Sequence, residues 1–327
     1  MKISRLGIFG LILFSVAIGG SCSLYNRVMA RKYLVDGAHA YNQRQFAEAE
    51  KNFRTAVAYD PDGNSFESRT AQLFLARTLH SGFAGNRGRT KLAEEAIAEY
   101  KKALTSFVKE EKALRETVAA DPQDESARKS LESAETAIGS IVRSIASLYQ
   151  NLNQEDKWRE WQLAAGENAD FPASVRANSL IGLAAKEYTC ANDITELKDV
   201  KKTIQQGGES TFEFVKPEGK EGFDQEFEKL KKCVADGTAF VDKAIELDPE
   251  SDSAWSYRTS LLVQKARIAE MDGDTAKKDE YKKASDEAKK RFEELAEKRR
   301  KAEEEAAKKA AEEEAKKAGK NADGEKK

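Results

Sequence analysis

The sequence predicts an all-α protein: an α-solenoid of antiparallel helix pairs with an N-terminal hydrophobic segment and a charged C-terminal helical tail. Ala, Glu, Lys and Leu dominate the 327 residues, and the 5 prolines and 20 glycines are too few to interrupt many long helices. Apolar residues make up 40% and charged residues 34% of the chain. Because stacked helix pairs leave much of each helix in water, this balance suits thin layers of helices better than one thick core.

The first element is a hydrophobic segment at residues 1–26. Lys2 and Arg5 precede an apolar run, and no charged residue occurs from Leu6 to Asn26. At about 1.5 Å per residue, a helix of this length is long enough to cross a bilayer. The segment is therefore interpreted as a signal peptide or membrane anchor and is left out of the folded body.

Cys22 leaves three outcomes open for this segment. The run Ile18-Gly19-Gly20-Ser21-Cys22 resembles a bacterial lipobox, with Gly19 in place of the usual leucine. The segment is an uncleaved anchor, a cleaved secretory signal, or a lipoprotein signal modified at Cys22. We expect a membrane-anchored protein of the bacterial cell envelope, with its body in the periplasm or otherwise outside the cytoplasm.

The folded body, residues 31–297, shows a helix-pair pattern most clearly at its start. Small residues fall where two antiparallel helices approach each other, aromatic residues fill the space between pairs, and an Asp-Pro pair ends the second helix. The residues concerned are Tyr33, Gly37, Phe46, Ala49, Phe53, Ala56 and Pro61. This pattern resembles the tetratricopeptide repeat (TPR), a helix–turn–helix unit of about 34 residues. The chain is similar to membrane-anchored or lipoprotein members of that family from bacteria.

Further copies of the pattern follow along the body. The matching positions are Ala96, Tyr100 and Ala103 in a second helix, Gly182 in a pair like the family's Leu-Gly, and Ala244, Pro249 and Trp255 at a junction between repeats. The resemblance implies about four or five helix pairs with irregular stacking.

The resemblance also implies a binding groove. In such repeats the first helices line a concave surface that holds an extended peptide or a partner helix. The candidate groove residues are Ala38, Tyr41, Asn42, Ser256 and Ser260.

Residues 205–222 interrupt the helical pattern. Gly207-Gly208, Pro217 and Gly219 predict a loop insertion that can include a short extended stretch. Loops of this length are commonly either functional or disordered, and disorder is the expectation here. Phe212 and Phe214 are the residues in it that suggest a contact site.

Cys190 and Cys233 leave two alternatives open. In an oxidising compartment they can form one disulfide across the least regular part of the body. They can equally be two buried thiols on neighbouring helices. Neither cysteine belongs to a CxxC unit or has a histidine at metal-ligand spacing, so no metal site is predicted.

The last element, residues 298–327, consists almost entirely of Lys, Glu and Ala. Pairs such as Glu304–Lys308 and Glu312–Lys316 have the favourable i,i+4 order, and each contributes about 0.2–0.5 kcal/mol to a helix. Interactions this weak predict a solvated tail that is partly helical or disordered.

Composition and motifs exclude several functions. The 55 Lys and Arg and 57 Asp and Glu give a formal charge of −2, so no nucleic-acid partner is expected. No GxSxG, HExxH or glycine-rich phosphate loop occurs, so neither catalysis nor a cofactor is expected. The predicted function is a non-catalytic scaffold that binds a partner protein or peptide at the envelope membrane. The alternative is a structural assembly factor in an envelope, outer-membrane or pilus complex, and an enzyme is the least favoured class.

Overall fold

The computed structural model describes residues 5–206, 208–217, 219 and 221–324, with side chains from Leu24 onward except at residues 206, 209, 310 and 313–324. These residues form ten helices and one two-stranded antiparallel hairpin. The all-α class is therefore confirmed, with the hairpin as an addition. The chain divides into two compact units, Met1–Val175 and Arg176–Lys327.

The first unit is built from consecutive helices joined by short turns. Its helices are α1 (Arg5–Asn42), α2 (Phe46–Ala58), α3 (Phe66–Gly85), α4 (Thr90–Ala120), α5 (Glu125–Asn151) and α6 (Glu155–Glu167). Each of these helices packs against the next. Side-chain caps fix two of the helix starts, because Ser65 and Asp124 accept hydrogen bonds from the backbone N–H of Ser68 and Ala127.

Close packing in this unit depends on small residues and on one apolar stripe. A Cβ atom at Gly37 would lie 2.6 Å from Cε1 of Phe53, so only glycine allows α1 to approach this fully buried ring. On α5, the fully buried side chains follow the helical period and form a continuous stripe at Ile138, Ile141, Ile145 and Leu148.

The second unit combines four helices with the hairpin. Its elements are α7 (Ala173–Thr195), which begins just before the unit boundary, β1 (Lys201–Gln206), β2 (Glu209–Phe214), α8 (Phe223–Leu247), α9 (Asp252–Met271) and α10 (Thr275–Gly324). α8 packs against α9, and α9 packs against α10.

The predicted loop insertion at residues 205–222 contains strand β2, which agrees with the short extended stretch that the sequence allowed there. β1 and β2 pair in register from Lys201 opposite Phe214 to Gln206 opposite Glu209. Gly208 has a φ of 89°, a left-handed conformation that glycine adopts without steric cost, and it allows the tight reversal. Gly208 therefore lies in a hairpin turn, and the β-prone residues on both sides of the turn form the strands.

Beneath the hairpin lies the apolar core of the second unit. The part of this core that packs with the hairpin consists of Ala191, Ile194, Val200, Phe214, Phe223, Phe227, Leu230, Cys233, Val234 and Met271. Of the two alternatives for the cysteines, the structure has the disulfide: Cys190 on α7 is bonded to Cys233 on α8, with Cα atoms 6.2 Å apart. The bond joins the helices on either side of the hairpin in the chain.

The last helix, α10, packs on α9 along its first half. Ala288 and Leu295 are buried, and Arg299 forms an ion pair of 2.8 Å with Asp252 at the start of α9. Lys298 pairs with Glu250 at 2.6 Å. The helix then continues to Gly324, where the sequence predicted a partly helical or disordered tail over residues 298–327.

The structure does not test the predicted N-terminal anchor. Within the part of the chain that the structure describes, no helix is both long and apolar enough to cross a membrane. Most of the segment at residues 1–26, including the lipidation candidate Cys22, lies outside the residues whose side chains are described.

Candidate protein-interaction groove

The residues that predicted helix pairing fall into three classes of exposure. Those buried in the structure are Gly37, Ala49, Phe53, Ala56, Ala96, Tyr100, Ala103 and Ala244. Those half-buried are Tyr33, Phe46, Gly182 and Trp255, and the two exposed ones are Pro61 and Pro249. The prolines thus lie at helix-ending turns, and the small residues lie between helices.

Two aromatic residues of this set stabilise turns. The ring of Tyr33 stacks on Tyr59 at the end of α2, with centroids 6.0 Å apart. The indole N–H of Trp255 donates a hydrogen bond of 3.0 Å to the carbonyl of Pro249. The first contact joins α1 to the C-terminal end of α2, and the second lies across the turn between α8 and α9.

The predicted groove residues are distributed over both units. Ala38, Tyr41 and Asn42 lie on α1 in the first unit, and Ser256 and Ser260 lie on α9 in the second. The Tyr41 hydroxyl is 3.2 Å from the hydroxyl of Ser81, and the Ser260 hydroxyl donates to the carbonyl of Ser256 at 3.1 Å. These polar groups are therefore already engaged within the fold.

A groove that the sequence did not predict lies between the hairpin and the helices α9 and α10. Its volume is about 390 Å³. We call it the hairpin groove. It is lined by Thr211, Phe212 and Phe214 of β2, by Val263, Ala266, Arg267 and Glu270 of α9, and by Lys278, Lys282, Ser285 and Asp286 of α10.

Apolar side chains in this groove are exposed to solvent. Phe212 is 54% exposed and Val263 is 38% exposed. Phe212 and Phe214 are two residues apart on a strand and so point to the same face of the hairpin. Phe214 is buried in the core. Because its burial holds this face of the hairpin against α9, Phe212 lies at the wall of the groove.

Cations hold both phenylalanine rings in place. The Lys201 ammonium lies 4.2 Å from the ring centroid of Phe212, and the Arg267 guanidinium lies 4.3 Å from that of Phe214. Both cations also bind Glu196, Lys201 at 2.5 Å and Arg267 at 3.3 Å. The hydrogen bond from Lys201, together with the charges of both cations, holds the pKa of the Glu196 carboxyl below its ordinary value.

A buried polar network connects Arg267, which lines the groove, to α7. The Thr195 hydroxyl, fully buried, donates to Oε1 of Gln264 at 3.1 Å and accepts from Arg267 at 3.0 Å. Gln264 is also fully buried and donates to Asn192 at 3.5 Å. Because buried polar groups are costly unless they are paired, this network favours one arrangement of α7 against α9.

Val263 and Arg267 were not predicted as site residues, because the segment opposite them was expected to be a loop. The alternation of β-prone residues on both sides of Gly207-Gly208 was the signal that could have placed a hairpin there. Phe212 and Phe214 were noted as a possible contact site, and both line the groove.

One cluster in the second unit has a composition that could suit a metal ion. A carboxylate oxygen of Glu187 and the sulfur atoms of Cys190 and Cys233 lie within 4.8 Å of one another. Since the two sulfurs are bonded to each other, they are not available as thiolate ligands. This cluster is therefore described as a disulfide beside a buried carboxylate.

The hairpin groove offers exposed apolar walls beside paired charges. These features suit the binding of an apolar segment. Comparison with protein-family models and with curated proteins finds no match for this chain.

Proposed function

We propose that this chain is a non-catalytic protein-interaction scaffold of TPR-like helix pairs, anchored at a bacterial envelope membrane. Its partner is a protein or peptide segment with apolar side chains, which binds in the hairpin groove. The observation that carries this proposal is the exposure of Phe212 and Val263 on the walls of one concave groove. Exposed apolar side chains that converge on a groove are characteristic of binding sites.

The solenoid part of the proposal is supported by the packing of consecutive helices. α1 packs on α2, α2 on α3 and α3 on α4, as expected when helix pairs stack in chain order. The contact of Gly37 with the Phe53 ring is the close approach that the TPR resemblance implies.

Membrane anchoring is supported by the uncharged run from Leu6 to Asn26. Because α1 continues without a break from Arg5 to Asn42, an inserted N-terminal part would be joined to the folded body without a flexible linker. Full-length protein is expected to remain with carbonate-washed membranes, and a chain lacking residues 1–25 is expected in the supernatant. An acyl mass on Cys22 would identify the lipoprotein outcome, and an intact Met1 would exclude it.

A second candidate, a structural assembly factor, is favoured by one feature of α1. Leu24, Val28 and Val35 are each more than half exposed, and their spacing of four and seven residues places them on one helical face. An apolar helical face beside a membrane suits a permanent contact with another subunit of an envelope complex.

Site-specific photo-crosslinking tests the binding proposal in the full-length chain. Benzoylphenylalanine is placed at Phe212 and, as the matched control, at Phe66, which is 61% exposed on α3. A discrete cross-linked protein from position 212 alone supports the groove. The same products from both positions, or none from either, would count against it.

A further inference from the structure

A second cavity lies on α8, α9 and α10, and its lining differs from that of the hairpin groove. Its volume is about 670 Å³. We call it the Lys265 pocket. It is lined by Lys231, Val234, Ala235, Thr238, Ala239 and Asp242 of α8, by Lys265, Ile268, Ala269 and Asp272 at α9, and by Asp274, Lys277 and Tyr281 at the start of α10.

The floor of this pocket is apolar and made of small side chains. Val234 and Ala269 are buried, and Ala235 and Ala239 leave open space along one face of α8. The hydroxyl of Thr238 donates to the carbonyl of Val234 at 2.7 Å, so it offers no free donor to a ligand. A ligand lying along this floor would meet mainly methyl and methylene groups.

The carboxylates around the pocket are already neutralised. Asp242 is paired with Arg258, and Asp274 is paired with Lys277 at 3.1 Å. Asp272 is paired with Lys216 at 2.5 Å. The rim therefore presents ion pairs, with little free negative charge to repel an anion.

Lys265 differs from the other cations of the lining. Among the described residues, its ammonium forms no salt bridge, whereas Lys231 and Lys277 each do. Its nearest aromatic contact is the ring of Tyr281, with the ammonium 5.8 Å from the centroid. Burial lowers the pKa of Lys265, and the nearby charge of Asp242 does not offset this effect. An anion in the pocket would stabilise this half-buried charge.

We infer that the Lys265 pocket binds a long-chain carboxylate of the fatty-acid type. Its carboxylate pairs with the Lys265 ammonium beside Tyr281, whose hydroxyl has no hydrogen-bond partner among the described residues. Its alkyl chain lies on the floor formed by Val234, Ala235 and Ala269. An alkyl chain fits this lining better than a peptide, because buried peptide N–H and C=O groups need partners that the floor does not supply.

The test uses the full-length protein and a photoreactive fatty acid, a diazirine-bearing tetradecanoic acid, followed by mass-spectrometric mapping of the label. We expect label on peptides from α8 and α9, and competition by excess laurate. The methyl ester of the same compound should label weakly, because it cannot pair with Lys265. An apolar tripeptide acid that competes better than laurate would overturn the fatty-acid assignment.

Single-residue variants test whether the labelled site is the Lys265 pocket. Lys265→Met should lower the site-specific labelling about tenfold or more, since it removes a charge-assisted hydrogen bond. Lys265→Arg should retain most of it. Lys232→Met is the matched control and should label like the wild type, because Lys232 lies on α8 outside the pocket lining and forms an exposed ion pair with Asp236. Ala239→Trp fills the pocket without removing charge and should abolish labelling. It tests the site independently of Lys265→Met, in case that variant does not fold. Equal labelling of wild type, Lys265→Met and Ala239→Trp would refute the site.

Discussion

The disulfide between Cys190 and Cys233 gives the sharpest prediction for stability. It joins α7 to α8, and the hairpin lies between the two cysteines in the chain. Reduction with a phosphine leaves the sequence unchanged and removes only this cross-link. The unfolded chain then gains the conformational freedom that the closed loop denied it.

The magnitude follows from the length of the loop. The two cysteines are 43 residues apart in sequence. In the chain-entropy relation, a loop of this length corresponds to about 13 cal/mol/K, or about 4 kcal/mol at 25 °C. Cys233 is buried in the core beneath the hairpin, so local loosening around the free thiols adds to this loss.

Hydrogen exchange measured by mass spectrometry resolves the effect by element. Protection of the amides in α7, α8 and α9 should fall by about 3–4 kcal/mol in the reduced protein. The double variant Cys190→Ala/Cys233→Ala is the matched control and should not respond to the reductant. A loss below about 1 kcal/mol, or an equal response in the double variant, would refute the view that this cross-link stabilises the second unit.

Three further predictions concern packing and charge. Gly37→Ala should lower the free energy of unfolding of the first unit by about 1–3 kcal/mol in urea titration, because the added methyl group overlaps a buried ring; an unchanged midpoint would contradict the close approach. Leu295→Ala should cost about 2–5 kcal/mol in the same assay, since this side chain is buried, whereas Lys309→Ala on the exposed part of α10 should cost nothing measurable. The pKa of Glu196 is lowered in the folded state chiefly by the hydrogen bond from Lys201, so its stabilising contribution is present above the ordinary carboxyl pKa and is lost as pH falls through the folded value. Unfolding midpoints between pH 3 and pH 6 should therefore depend less on pH in Glu196→Gln, and an identical dependence in both proteins would show that this carboxylate does not contribute.

The helical class was predictable because it depends on local signals. Few prolines, many helix-forming residues and a 3.6-residue apolar period act within single helices, and each is visible in the sequence. The pairing of α1 with α2 was also predictable, because Gly37 and Phe53 meet across one short turn. Contacts between residues close in sequence need no knowledge of the rest of the chain.

The hairpin groove was harder to predict because it depends on distant contacts. Phe212 was visible as an unusual residue in a polar segment, but its face on β2 depends on the register with β1. Val263 and Arg267 gain their position from the packing of the hairpin on α9, about fifty residues further along the chain. Tertiary packing therefore determines which residues line the groove, and the helical pattern of the sequence alone does not predict them.

The disulfide was hard to predict for the same reason, because it too depends on contacts between distant residues. The sequence is compatible both with a disulfide between Cys190 and Cys233 and with two free thiols. Which alternative holds depends on whether α7 and α8 bring the two Cα atoms within bonding distance, and in the structure these atoms are 6.2 Å apart.

The central claim is that the hairpin groove binds an apolar segment of a partner protein. Its most direct test is the affinity of full-length Phe212→Ala and Phe66→Ala for the partner captured by cross-linking at position 212. We predict that Phe212→Ala weakens binding about tenfold or more, because it removes an exposed aromatic anchor, and that Phe66→Ala leaves the affinity unchanged. Equal affinities for both variants and the wild type would contradict the assignment of the groove.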